Sequence, residues 1–110
     1  MRHPPFRLHA ITQMERHVAL PAIERAILAA GGAISDYRQF SGLAAVLELE
    51  VPARRFAALH AAIAATEVEL SPALDRIAIP DDAVEMSGTL RIEFPHGDAD
   101  LTIPLPAVPG

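Results

Sequence analysis

From Leu43 to Val51 the chain alternates without a break: Leu43, Ala45, Leu47, Leu49 and Val51 fall on one side, and Ala44, Val46, Glu48 and Glu50 on the other. Successive side chains of an extended chain point to opposite faces, so this run predicts a strand with one buried face. Pro52 closes it. From Arg54 to Thr66 the apolar residues Phe56, Leu59 and Ile63 recur at helical spacing, padded by alanines that favour helix and permit close packing. A half-buried strand passing directly into an amphipathic helix has to be completed by other strands, which directs the chain toward a layered α+β fold.

The flanking segments supply those strands. Phe6, Leu8, Ala10, Thr12 and Met14 alternate with Arg7, His9, Ile11 and Gln13, a first strand broken in period only by Ile11. Leu20, Ile23, Ile27 and Ala30 then recur at helical spacing, with Glu24 and Arg25 opposite, Pro21 near the first turn, and Gly31 and Gly32 as the stop. Between strand and helix, "ERHV" reads as a short charged loop. Ala33 to Phe40 is extended, Ser41 and Gly42 mark a turn, and Glu67 to Leu70 supplies a fourth strand with Val68 and Leu70 inward. The order strand, helix, strand, strand, helix, strand is the split βαβ pattern of ferredoxin-like folds, with both helices on one face of a four-stranded antiparallel sheet.

Residues 71–110 have another texture. Prolines at 72, 80, 95, 104, 106 and 109 exclude helix and favour turns and edge strands. Ile77 and Ile79 form a short strand-like run, "PDDAVEMSG" reads as a loop, and Leu90, Ile92 and Phe94 alternate before the "PHGDAD" turn. Leu101, Ile103 and Leu105 repeat the alternation. The segment thus predicts a C-terminal β-hairpin, with Pro104 and Pro106 placing its last strand at an edge. The chain is read as one structural unit, residues 1–80 carrying the six-element core and residues 81–110 the hairpin extension.

Composition narrows function. With 110 residues the chain suits a single core. A net charge of −5, with the acidic residues spread over both halves, argues against a nucleic-acid partner. Cysteine is absent, removing disulfides, thiolate metal sites and cysteine nucleophiles. Lysine and asparagine are absent too, so every formal cation is arginine and no Schiff-base chemistry can run through lysine; the alanine-rich, arginine-only usage fits a GC-rich, bacterial coding bias. The amino terminus lacks the apolar core of a signal peptide, and no window reaches a membrane span, so a soluble, cytoplasmic protein is expected. No cofactor is implied.

The strand followed by "ERHVALPAIERAILAAGGAISDYRQFSG" resembles the ACT domain, a ferredoxin-like regulatory module, and within it the amino-terminal ACT regions of phosphoserine phosphatases and glycine-cleavage transcriptional regulators. Glu15 and Arg16 stand in the family's acidic and basic places, His17 in its proline place and Val18 in its glycine place; Ile34, Asp36 and Gln39 match its second strand. The resemblance spans about Phe6 to Leu70. It implies a module of the ACT type, with the C-terminal hairpin added, that binds an amino acid or similar metabolite at a homodimer interface. Amides opening the first helix would meet the ligand carboxylate, assisted by the second strand of a neighbour. By position this gives a ligand set of Glu15, Arg16, His17, Val18, Ala19, Leu20, Asp36 and Arg38. Val18 obstructs close approach to the backbone, and a β-branched residue is penalised at positive φ, so the loop binds something other than the family's usual amino acid or binds nothing.

Other polar residues have ordinary roles open to them. Arg16 and His17 suit an anion, or are solvated at a helix start. Asp36 and Arg38 share a strand face and suit a surface ion pair. His96, Asp98 and Asp100 suit a divalent metal, or an ordinary turn, and the turn is preferred, so no metal is expected. His3, His9 and His60 suggest structural positions rather than ligands. No nucleophile elbow surrounds Ser35, Ser41, Ser71 or Ser87. Ala44 and Val46 form a small apolar patch on an otherwise acidic open face, which suits self-association. The expected function is a non-enzymatic, metabolite-binding regulatory module acting as a homo-oligomer, beside a separate enzyme partner. The alternative is an interaction protein that uses its hairpin and sheet edges.

Overall fold

The computed structural model describes residues 4–40 and 42–95. Their order is β1 (Phe6–Ile11), α1 (Arg16–Ala29), β2 (Ala33–Phe40), β3 (Ala44–Pro52), α2 (Ala53–Ala64), β4 (Glu69–Ser71), a 3-10 turn (Leu74–Arg76) and β5 (Glu85–Glu93). The result is a mixed α+β fold of five strands and two helices, compatible with the ferredoxin-like class. Elements β1 to β4 fall close to where hydrophobic period puts them. The sheet, however, has five strands, in the order β2-β3-β5-β1-β4.

The position of β5 corrects the expectation of an antiparallel sheet with a peripheral hairpin. It lies in the centre, parallel to β1 from Phe6↔Gly88 to Ile11↔Glu93, and antiparallel to β3 from Ala44↔Glu93 to Pro52↔Glu85. Part of "PDDAVEMSG", expected as loop, belongs to this strand, because Met86 and Gly88 continue the buried face of Leu90 and Ile92. Ile77 and Ile79 are not a strand: Ile77 follows the 3-10 turn and packs on the core, while Ile79 is exposed. The second hairpin strand, the "PHGDAD" turn and the metal candidates His96, Asp98 and Asp100 lie outside the described residues, as do His3 and Ser41.

One face of the sheet carries the core. Phe6, Leu8 and Ala10 of β1, Leu47, Leu49 and Val51 of β3, and Met86, Leu90 and Ile92 of β5 pack against Ile23 and Ile27 of α1 and Phe56, Leu59 and Ile63 of α2. Leu43, expected inward, is 54 % exposed because β3 begins one residue later, beyond the ground the helices cover. Helix α1 ends in a Schellman motif: Gly32 donates to the Ile27 carbonyl and Gly31, at φ 94°, to that of Leu28. His60 keeps a structural role, its Nε2 lying 3.0 Å from the Pro72 carbonyl.

Candidate functional site

The start of α1 is a helix turn and not a loop. Arg16, His17 and Val18 are its first three residues, and Glu15 is the extended residue before it. The amides of Val18 and Ala19 both donate to the Glu15 carbonyl, at 3.0 and 2.9 Å. That bond removes the Val18 amide from the set that a helix start offers to an anion. Val18 has a helical position and an exposed side chain, so the positive-φ penalty expected at this residue does not arise. Ala19 and Leu20 are buried in the core, leaving Glu15, Arg16, His17 and Val18 to present side chains.

Buried Thr12 fixes how the chain enters this turn. Its hydroxyl donates to the Glu67 carbonyl at 3.2 Å and accepts the Met14 amide at 3.1 Å, tying the end of β1 to the turn after α2. The depression beside it, about 420 Å³, is lined by Ile11, Gln13, Met14, Glu67, Val68 and Glu69. Two carboxylates on its wall repel a ligand carboxylate. Asp36 and Arg38 are placed elsewhere: register sets them beside Glu48 and Val46, on the sheet face opposite the helices. Within one protomer the proposed ligand set is therefore divided between the two sides of the sheet. Asp36 and Arg38 do form the anticipated surface ion pair, at 3.4 Å, and Arg38 also reaches Glu48 at 3.9 Å.

That second face, uncovered by α1 and α2, holds the denser chemistry. One row across the sheet reads Arg38, Val46, Arg91, His9, Ser71, and the next reads Asp36, Glu48, Thr89, Arg7. The face is mixed in charge and not acidic as expected, because β5 and β1 bring arginines beside the glutamates of β3. Arg7, Leu8, His9, Val46, Thr89 and Arg91 line a depression of about 440 Å³, within the range of small-ligand sites. Adjoining it is a second, of about 320 Å³, bounded by Glu48, Glu50, Ser35, Ser87 and Thr89 among others. Thr89 is common to both. Arg7 makes no ion pair among the described residues.

Glu93 organises the cationic side. Its Oε2 accepts a hydrogen bond from Arg91 Nε at 3.2 Å and lies 3.2 Å from His9 Nε2, which is shielded from solvent. The Arg91 hydrogen bond, and after it the His9 contact, hold the Glu93 carboxyl below the usual glutamate range. A carboxyl depressed on folding contributes stability above its ordinary pKa of 4.5 and loses it as the pH falls through the lower folded value. Glu93→Gln should accordingly lower the melting temperature at neutral pH, and the difference from the unsubstituted chain should shrink on acidification below pH 4.5. Thermal melts across that range test the assignment.

The sequence signals for Arg7, His9, Arg91 and Glu93 were their places on the polar side of alternating strands. Among the described residues no group of three or more histidine, aspartate or glutamate side chains is placed to hold a metal ion, and no helix is long and apolar enough to cross a membrane. The fold and this face define a mixed α+β domain with one helix-covered and one open, charged sheet surface. No family model, curated protein or solved structure matches the chain.

Proposed function

We propose that the protein is a non-enzymatic regulatory module that binds an α-amino acid, or a metabolite of like charge pattern, on the open face of its sheet. The observation that carries this reading is the pair of adjoining depressions of opposite charge. Arg7 and Arg91 suit a carboxylate, Glu48 and Glu50 suit an ammonium group, and Thr89 between them offers a hydroxyl to either. Val46, opposite Arg91 in the ladder, adds an apolar part to the lining. Binding requires the Arg91 guanidinium to serve ligand and Glu93 together, so occupancy alters the His9, Arg91 and Glu93 contacts, a change that a partner enzyme can read.

Thermal shift against amino acids tests it. A ligand at about a hundred times its Kd adds about 2.7 kcal/mol, a rise on the order of ten degrees in a domain of this size. The matching keto acid, lacking ammonium, and the matching amine, lacking carboxylate, should each give a much smaller rise. Arg91→Ala and Glu48→Gln should each remove most of the effect. A panel in which no zwitterion stabilises the chain, or in which both variants respond like the unsubstituted protein, defeats the proposal. A second reading, an interaction protein working through sheet edges, is favoured by the length and exposure of β2.

A further inference from the structure

β2 is an eight-residue strand at one end of the sheet, with β3 as its single strand neighbour among the described residues, and every residue but Ile34 is exposed. A strand at the end of a sheet can accept a further strand along its outer side, and most proteins shorten, cover or blunt such an edge. Here the blunting is partial. A bulge interrupts the register between Ile34 and Asp36, and beyond it Asp36 to Phe40 run regularly beside β3. Tyr37 and Phe40 stay 42 % and 47 % exposed on this edge.

The sequence around Tyr37 is symmetric in character. Around Tyr37 stand Asp36 and Arg38, and outside them Ser35 and Gln39: polar, acid, aromatic, base, polar. In an antiparallel pairing of β2 with itself about a two-fold axis at Tyr37, Asp36 of each copy falls opposite Arg38 of the other, and the two Tyr37 residues face each other. Sliding the axis to residue 36 sets Asp36 against Asp36, and sliding it to residue 38 sets Arg38 against Arg38. Opposite charges directly across a ladder stabilise and like charges destabilise, so the sequence selects the register as well as the partner. We infer that two copies of this chain pair through β2 about Tyr37, joining their sheets into one and replacing the intrachain contact of Arg38 with Asp36 by the same contact between copies. This interface does not depend on the ligand reading, since Arg7, Arg91 and Thr89 lie on interior strands.

Sedimentation equilibrium of the full chain should return twice the 11.8 kDa chain mass. Arg38→Asp turns both cross-strand ion pairs repulsive and should weaken dimerisation by about tenfold or more. The double exchange, Asp36→Arg with Arg38→Asp, restores complementarity in the same register and should restore the dimer. Because the chain has no cysteine, Tyr37→Cys gives a single thiol at the axis, which should form an intermolecular disulfide on mild oxidation, whereas Leu28→Cys on the exposed side of α1 should not. A monomeric unsubstituted chain, a folded Arg38→Asp chain that still dimerises fully, or no cross-link through Tyr37→Cys overturns the inference. Should Arg38→Asp fail to fold, the cross-link decides.

Discussion

Gly88→Ala is expected to abolish or severely weaken the native fold, with a loss of at least about 3 kcal/mol in urea unfolding. Gly88 is buried in the centre of β5, paired with Phe6 on one side and Leu49 on the other. A Cβ built there meets the Phe6 carbonyl oxygen and stands 2.5 Å from two atoms of its ring. A flexible side-chain tip can retreat from such a contact; a backbone carbonyl in the neighbouring strand cannot do so without disturbing the parallel ladder. The Phe6 ring is also held, edge-on against Phe56 at a centroid distance of 5.0 Å. Glycine is thus required by the close approach of Phe6 to the strand. A Gly88→Ala chain with the urea midpoint and slope of the unsubstituted protein rules out this packing.

Phe56→Ala should cost about 3 to 5 kcal/mol, a large share of the roughly 5 to 15 kcal/mol that holds a small domain together. Phe56 is fully buried on α2, within the core cluster that includes Ile23, Ile27 and Leu49, and its ring is the partner of Phe6. Truncation removes the apolar contacts and leaves a cavity between helix and sheet that close packing cannot fill. The same substitution logic at exposed Leu28 predicts a change within about 0.5 kcal/mol. Paired melts of Phe56→Ala and Leu28→Ala read the contrast directly, and equal effects in the two variants contradict the burial described.

The local elements were legible because each has a strong period. Leu47, Leu49 and Val51 mark β3, and Phe56, Leu59 and Ile63 mark α2, at the positions where the structure buries them. The start of α1 was less so: bonding of the Val18 and Ala19 amides to Glu15 draws "RHV" into the helix, a local choice that hydrophobic period does not register. The place of β5 was not legible at all. Alternation shows that Leu90 and Ile92 face a core, but not which strands flank them, since register with β1 and β3 is a matter of long-range pairing. The candidate site inherits that gap. Arg7 and His9 at one end of the chain, and Arg91 and Glu93 at the other, each read as ordinary polar strand residues until the parallel pairing sets them side by side. Asp36 and Arg38, by contrast, were recognisable as a pair from their two-residue spacing alone.

The central position of β5 also sets a timetable. In the sheet, the β2–β3 hairpin and the β1–β4 pair meet only through this strand, the last of the described elements to be synthesised. Until it emerges, a nascent chain has two half-sheets whose facing edges lack their shared neighbour, and closure must wait for the chain's most distant contacts to form. Folding of the described elements is therefore held back until β5 is available, and a released chain ending before Glu85 should remain sensitive to protease where one extending past Phe94 is protected.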